Sequence, residues 1–325
     1  MSLDLLIPDL LRAPGALSAP PLPSLEKWLA RAEIARVPGG AIAWLGTAFG
    51  LAHPVPVAAI ETGGEGAWLR ADPVHLRVVR EGVQLMPAAA LGIAGDEAGA
   101  LVEALNAHFR EDGLVFVASA AESWHVRVPA DELPRTLAPE EARGREVALV
   151  FPEGSGSISW RRALTEAQMV LAVHGVNERR ESAGKPAVNS VWFWGGGSLP
   201  AHAASPYRWI ASTDAFVRGL GRLTATPAAT LPATIADIPD FPQGGAMLVE
   251  LAGLQAAIDS ADAEAWRDEA LRLEREWFAR LGSVIARFGR VRLVLPAEGD
   301  TLVATLEGSA RWRLLRGAKP LASYA

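Results

Sequence analysis

The stretch HGVNERRESAGKPAVNSVWFWGGGSLP, His174–Pro200, carries most of the fold information in this chain. Ser190-Val191-Trp192-Phe193-Trp194 is a continuous apolar run of the kind that forms a buried strand, and it ends on Gly195-Gly196-Gly197. In sheets whose strands are parallel, ligands gather at the carboxyl ends of the strands. Glycines there let backbone N–H groups come close to an anion. One reading is therefore an anion pocket near Arg179, Arg180 or Lys185. The other is a tight strand-to-loop turn beside a solvated, charged helix end. The spacing alone leaves both open.

Outward from this segment, apolar runs alternate with helical periodicity. Leu5-Leu6-Ile7, Tyr207–Ser212, Met247–Leu251 and Val291–Pro296 read as strands. Thr165–His174, Asp214–Leu223 and a long Ala261–Phe288 segment read as helices. Ser24 is placed to cap a helix beginning Leu25-Glu26-Lys27-Trp28. This alternation predicts an α/β fold with a largely parallel sheet and helices on both faces. Between Gly82 and Ala142 the texture changes. A helix over Ala94–Arg110 stands beside strands at Leu114–Val117 and Trp124–Val128. These predict a small α+β module at 80–145, inserted in an α/β domain made of 1–79 and 146–325. Pro134–Arg145 is a polar link, Val147–Phe151 a further strand and Glu153–Ser157 a loop.

Composition narrows the function. The chain has 325 residues, enough for a large core, and half of them are hydrophobic, which is globular rather than disordered composition. A net charge of -6 with no run of Lys or Arg argues against nucleic acid as a partner. The absence of cysteine excludes disulfides, thiolate metal sites and cysteine nucleophiles. The opening Met1-Ser2-Leu3-Asp4 is acidic where a signal peptide is basic, and no apolar run reaches the roughly 18 residues of a membrane span. The expectation is a cytoplasmic protein without a membrane partner. Gly219-Leu220-Gly221 is no dinucleotide fingerprint, and Gly154-Ser155-Gly156 lacks the Lys-Ser/Thr of a phosphate loop. The histidines show no metal-ligand spacing; His53, His75, His108, His125 and His202 read as surface or satisfied polar residues.

A family resemblance rests on the quoted segment. The archaeal-type cofactor-independent phosphoglycerate mutases carry a pattern like HPVN..R...G..PAN.IWLWG.G..P. This chain matches it at His174, Val176, Asn177, Arg180, Gly184, Pro186, Asn189, Trp192, Trp194, Gly195, Gly197 and Pro200. Ile210–Arg222 resembles that family's ISAVDLIKGIGR, Ala67–Asp72 sits where it has AFRCN, and Gly92–Ala98 resembles the start of its inserted module. The resemblance is strong over 165–225 and looser over the rest. It implies an alkaline-phosphatase-like α/β domain carrying an insertion, and the whole pattern also resembles a bacterial group of regulatory RpfE-type proteins.

In the mutases two divalent metals activate a serine that accepts and returns a phosphoryl group. The metals neutralise charge and deprotonate the nucleophile. Here the chain departs from its resemblance. The family's VEAPDEAGH corresponds to Val249–Ala257, so its Asp falls on Gly253 and its His on Ala257. Its LPDH.TP corresponds to Leu295–Thr301, so Asp and His fall on Ala297 and Glu298. Residues 302–325 contain no histidine. Asp9 matches an early acidic ligand, and no nucleophilic serine is identifiable, although Thr47 lies in roughly the right region. The resemblance therefore implies a fold kept after its chemistry was lost: a pseudoenzyme with a regulatory or small-anion-binding role and no cofactor. Its ligand would be a small phosphorylated or carboxylated molecule, or its partner a protein. His174, Asn177, Arg180 and Asn189 would supply polar contacts, with Trp192 and Trp194 framing them. Gly195, Gly196 and Gly197 would supply backbone donors, and Arg222 a further anion contact. The alternative is an active, Mn- or Mg-dependent mutase or phosphatase with ligands relocated to Asp9, Asp72, Asp214, Glu250, Glu298 or Asp300.

Overall fold

The computed structural model describes residues 1–15, 19–79, 82–129, 133–138, 160–240, 244–313 and 317–325. The chain begins with β1 (Ser2–Leu6), α1 (Pro23–Arg31), β2 (Glu33–Pro38) and α2 (Ala41–Ala48). Next come α3 (Val57–Thr62), β3 (Ala67–Val79), β4 (Gly82–Met86), α4 (Gly95–His108), β5 (Val115–Ala120) and β6 (Ser123–Val128). After these lie α5 (Trp160–Ala172), α6 (Gly175–Ser182) and β7 (Ser190–Ser198). The last third holds β8 (Tyr207–Ala211), α7 (Ala215–Leu223), β9 (Ala228–Ala229), β10 (Ala246–Glu250) and α8 (Gln255–Asp259). It closes with α9 (Ala263–Glu276), α10 (Leu281–Phe288), β11 (Arg290–Pro296) and β12 (Asp300–Glu307).

Two compact units result, one from 1–52 with 202–325 and the other from 53–201. The sequence expectation put the junctions at 79/80 and 145/146. Val147–Phe151 and Glu153–Ser157 lie outside the described residues.

The first unit is the expected α/β domain. Its seven-stranded sheet runs β2-β12-β11-β1-β10-β8-β9. β1 lies parallel to both β10 and β11, and β10 parallel to β8; β12 and β2 continue the sheet antiparallel. Strands covered on both faces need apolar residues at successive positions, which is why Leu5-Leu6-Ile7 and Leu293-Val294-Leu295 read so clearly. On one face Leu3, Leu5, Ile7, Met247, Val249 and Leu293 pack against Trp28, Trp266, Trp277, Phe278 and Phe288. The expected single helix over 261–288 is two, α9 and α10, joined by a short 3-10 turn at Phe278–Arg280. Gly282 follows the break, where a Cβ would come within 3.1 Å of Trp28. The cap expected of Ser24 comes from α9 instead. Helix α1 starts at Pro23, and the Ser24 and Leu25 N–H groups donate to the buried Glu274 carboxylate at 2.6 and 3.2 Å.

The second unit is antiparallel. Its sheet runs β4-β3-β6-β5, with β7 also pairing β3. The sequence reading placed Ser190–Trp194 in a parallel sheet with its glycines beyond the strand end. In fact β7 lies antiparallel to β3, pairing Asp72 with Trp192 and Arg70 with Trp194, and Gly195–Gly197 belong to the strand itself. One apolar layer joins β3, β5, β6 and β7 to α4 and α5 through Leu69, Leu101, Phe116, Trp124, Trp160 and Phe193.

Candidate functional site

The residues singled out in His174–Gly197 lie together in the second unit, and most of their polar groups serve the chain itself. His174 caps α6, its Nδ1 accepting the Val176 N–H at 3.2 Å. Asn177 is buried; its amide donates to the carbonyls of Leu171 and Val188, and its oxygen accepts the Val188 N–H, all at 2.8 Å. Asn189 pairs both ways with the Leu76 backbone, at 2.8 and 2.9 Å. The Arg180 side chain is 0% exposed and ties three segments together. It donates to Pro186 O, to Leu91 O and to Glu97 of α4, the last at 2.6 Å. An arginine so placed is a clamp, because each N–H removed from water has found an acceptor.

Trp192 Nε1 donates to Leu137 O at 3.0 Å, and Trp194 Nε1 to Asp72 at 2.6 Å. The glycines have a packing reason that spacing could not reveal. A Cβ on Gly195 would lie 3.0 Å from Val57 Cβ, on Gly196 2.6 Å from Leu69 Cδ2, and on Gly197 2.3 Å from Pro56 Cβ. Gly195 also has φ of 61°, a backbone region costly for residues with a Cβ. The triplet lets α3 and the loop before it lie directly on β7. Arg222, exposed in the last turn of α7, belongs to the other unit.

Beside this segment runs a buried polar network that was not visible in the sequence. Arg70 of β3 donates from Nε and Nη2 to Asp72 at 3.0 and 2.7 Å, and from Nη1 to Glu61 of α3 at 2.7 Å. The other Glu61 oxygen lies 2.8 Å from His125 Nε2, and His125 Nδ1 lies 2.9 Å from Ser119 Oγ. Arg70 also stacks on Trp194, 5.1 Å from the ring centre. Burial works to lower the Arg70 pKa, but the Asp72 and Glu61 carboxylates together hold it above its ordinary value. Burial pushes the Asp72 carboxyl up, against the opposing pull of Arg70 and Trp194.

In the first unit, acidic groups collect at the carboxyl ends of the parallel strands. Glu250 ends β10, is buried, and accepts a short hydrogen bond from Ser212 Oγ. Asp214 caps α7 through the Val217 N–H at 2.9 Å. Burial, then the nearby Asp214 charge, raises the Glu250 carboxyl to about 8, against the pull of Ser212. Asp9, after β1, holds a left-handed backbone with φ of 60° and pairs with Arg12.

The two-metal centre implied by the resemblance does not fit these residues. Gly253 and Ala257 carry no donor atom, and the space a side chain at 253 would enter is filled. A Cβ there would lie 2.1 Å from Glu269 Oε1, and Glu269 is gripped by Arg272 at 2.6 and 2.7 Å. Asp300 pairs with Arg36 at 2.8 Å. Among the described residues, no three His, Asp or Glu side chains gather as a metal-ligand set. Nor, among them, is any helix long and apolar enough to cross a membrane.

Comparison with known proteins shows what the chain is similar to. No protein-family profile matches the chain. It is 29% identical over 157 residues to the 2,3-bisphosphoglycerate-independent phosphoglycerate mutase of Methanosarcina barkeri, covering 46% of this chain and 39% of that protein. The corresponding enzyme 2 of Methanothermobacter thermautotrophicus is 29% identical over 133 residues, 38% of this chain and 33% of its own length. The aligned stretch thus spans well under half of the curated relatives. Among solved structures, a protein from Pyrococcus horikoshii matches with a TM-score of 0.55 and 14% identity, over 99% of this chain and 92% of that one. That likeness is one of fold.

Proposed function

We propose that this chain, a divergent relative of the cofactor-independent phosphoglycerate mutases, is non-catalytic in their phosphoryl transfer and has a regulatory role. The observation that carries the reading is that Gly253 and Ala257 have no side-chain donor where the mutase pattern has Asp and His. Phosphoryl transfer in the relatives' manner needs cations to offset the charge of the phosphoryl group. In their place the strand ends of this chain carry Glu250, whose carboxyl is kept largely protonated near neutral pH by burial, and Asp214, and neither supplies positive charge to a phosphate. The Asn177, Arg180 and Asn189 side chains support the same reading differently. Their resemblance to the mutase pattern follows from their work in the fold, so it does not require a retained substrate. A small phosphorylated or carboxylated ligand has little to hold in that segment, because its polar side chains are engaged within the fold.

The test is metal content and 3-phosphoglycerate mutase turnover on one pure sample supplied with Mn²⁺ and Mg²⁺. The expected outcome is no stoichiometric metal and no turnover. Two metals per chain with metal-dependent turnover would overturn the proposal in favour of an active enzyme with ligands elsewhere.

A further inference from the structure

The polar network of the second unit ends at solvent, and its last three members have the order of a nucleophile relay. Ser119 is exposed on β5, His125 is 2% exposed, and the Glu61 side chain is 3% exposed. The register of β5 on β6 shifts between Ala118 and Ala120, so Ser119 occupies a bulge. Bulges re-aim a side chain out of the regular alternation of a strand. Here the hydroxyl is brought within 2.9 Å of His125 Nδ1. A buried histidine needs a partner on each ring nitrogen, and packing alone would be satisfied by any buried acceptor. An exposed serine at one end and a buried carboxylate at the other is a more particular arrangement.

With its proton on Nε2, directed at Glu61, the neutral imidazole presents Nδ1 as an acceptor to the Ser119 hydroxyl. Glu61 is in turn fixed by Arg70, which keeps the carboxylate oriented toward the ring. The Glu61 carboxylate, 2.8 Å from Nε2, stands beside an imidazolium formed at His125. These are the roles of nucleophile, base and orienting acid, assembled on three different elements.

We propose that Ser119 is a reactive serine that takes an acyl group from a small activated donor, an aryl ester or a thioester. His125 is its general base and Glu61 the positioning residue. Ser119 Oγ forms a bond to the acyl carbon while the bond from that carbon to the leaving oxygen or sulfur breaks. The hydroxyl proton passes to His125 Nδ1 and from there to the leaving group, so no oxidant or reductant is needed. The donor must carry a good leaving group, because Ser119 stands open on a strand rather than within a closed cleft. The inference rests on the 53–201 unit alone and is independent of the metal question.

The experiment treats the full chain with p-nitrophenyl acetate and, separately, with a fluorophosphonate, and reads intact mass and the labelled peptide. The expected result is one label per chain on Ser119, absent in Ser119→Ala. Labelling should be slower by about 10²-fold in His125→Gln, the usual span of general-base help. No label on Ser119, or equal labelling rates in the wild type and His125→Gln, would overturn the proposal. Should His125→Gln fail to fold, His125→Asn and Glu61→Gln decide: slower labelling of Ser119 supports the relay and an unchanged rate overturns it.

Discussion

The two units place their buried polar groups under opposite electrostatic conditions. In the 53–201 unit, Arg180 answers Glu97 and Arg70 answers Glu61 and Asp72, so each buried cation sits among acceptors. At the strand ends of the other unit, Glu250 has a serine and a second carboxylate for neighbours, and its carboxyl is raised accordingly. The first arrangement makes the fold specific. The second disfavours the charged form of Glu250. Similarity to a catalytic family can therefore be strongest where residues hold the chain together and weakest where they would do chemistry.

Breaking the stronger clamp should have the largest effect. Arg180→Met leaves Glu97 and two carbonyls without their donor, and should cost about 3–5 kcal/mol in urea unfolding of the full chain. Gly197→Ala comes next. Its methyl meets the rigid Pro56 ring at 2.3 Å, an overpacking worth about 1–3 kcal/mol by the same measurement.

The contrast sharpens with pH. Glu250 has a raised folded pKa, so the folded state keeps a proton that the unfolded state releases between about 4.5 and about 8. Stability from this group is full below that window and is lost as pH rises through it. Glu250→Gln should flatten the decline, with a melting temperature several degrees above wild type at pH 8 and close to it at pH 4.5. The smallest effect belongs to an exposed pair. Arg290→Ala removes a 2.8 Å bridge to Glu307 with both side chains more than half exposed, and should shift stability by under about 0.5 kcal/mol.

Much of the first unit could be read from sequence because its central strands are buried on both faces, which leaves continuous apolar runs. β2 gave no such signal: Glu33-Ile34-Ala35-Arg36-Val37-Pro38 is an edge strand with largely exposed side chains. The helix break after Glu276 was hidden because its flanking residues are apolar and keep helical spacing on both sides. In the second unit the decisive segment was recognisable but its direction was not, since a buried strand looks the same beside parallel or antiparallel neighbours. His125 agrees with its reading as a satisfied polar residue. Its partner Glu61, 64 positions away, could not be named from periodicity, because the pairing depends on α3 lying across the sheet on the Gly195–Gly197 strip.

The connectivity of β1 bears on how the chain assembles during synthesis. Ser2–Leu6 is made well before its two neighbours, Ala246–Glu250 and Arg290–Pro296. The 53–201 unit is contiguous and emerges whole between them. β1 must therefore wait for both of these partners until the 53–201 unit has been made. Its short length and the prolines close behind it, Pro8 and Pro14, limit the edge it offers to other chains in that interval.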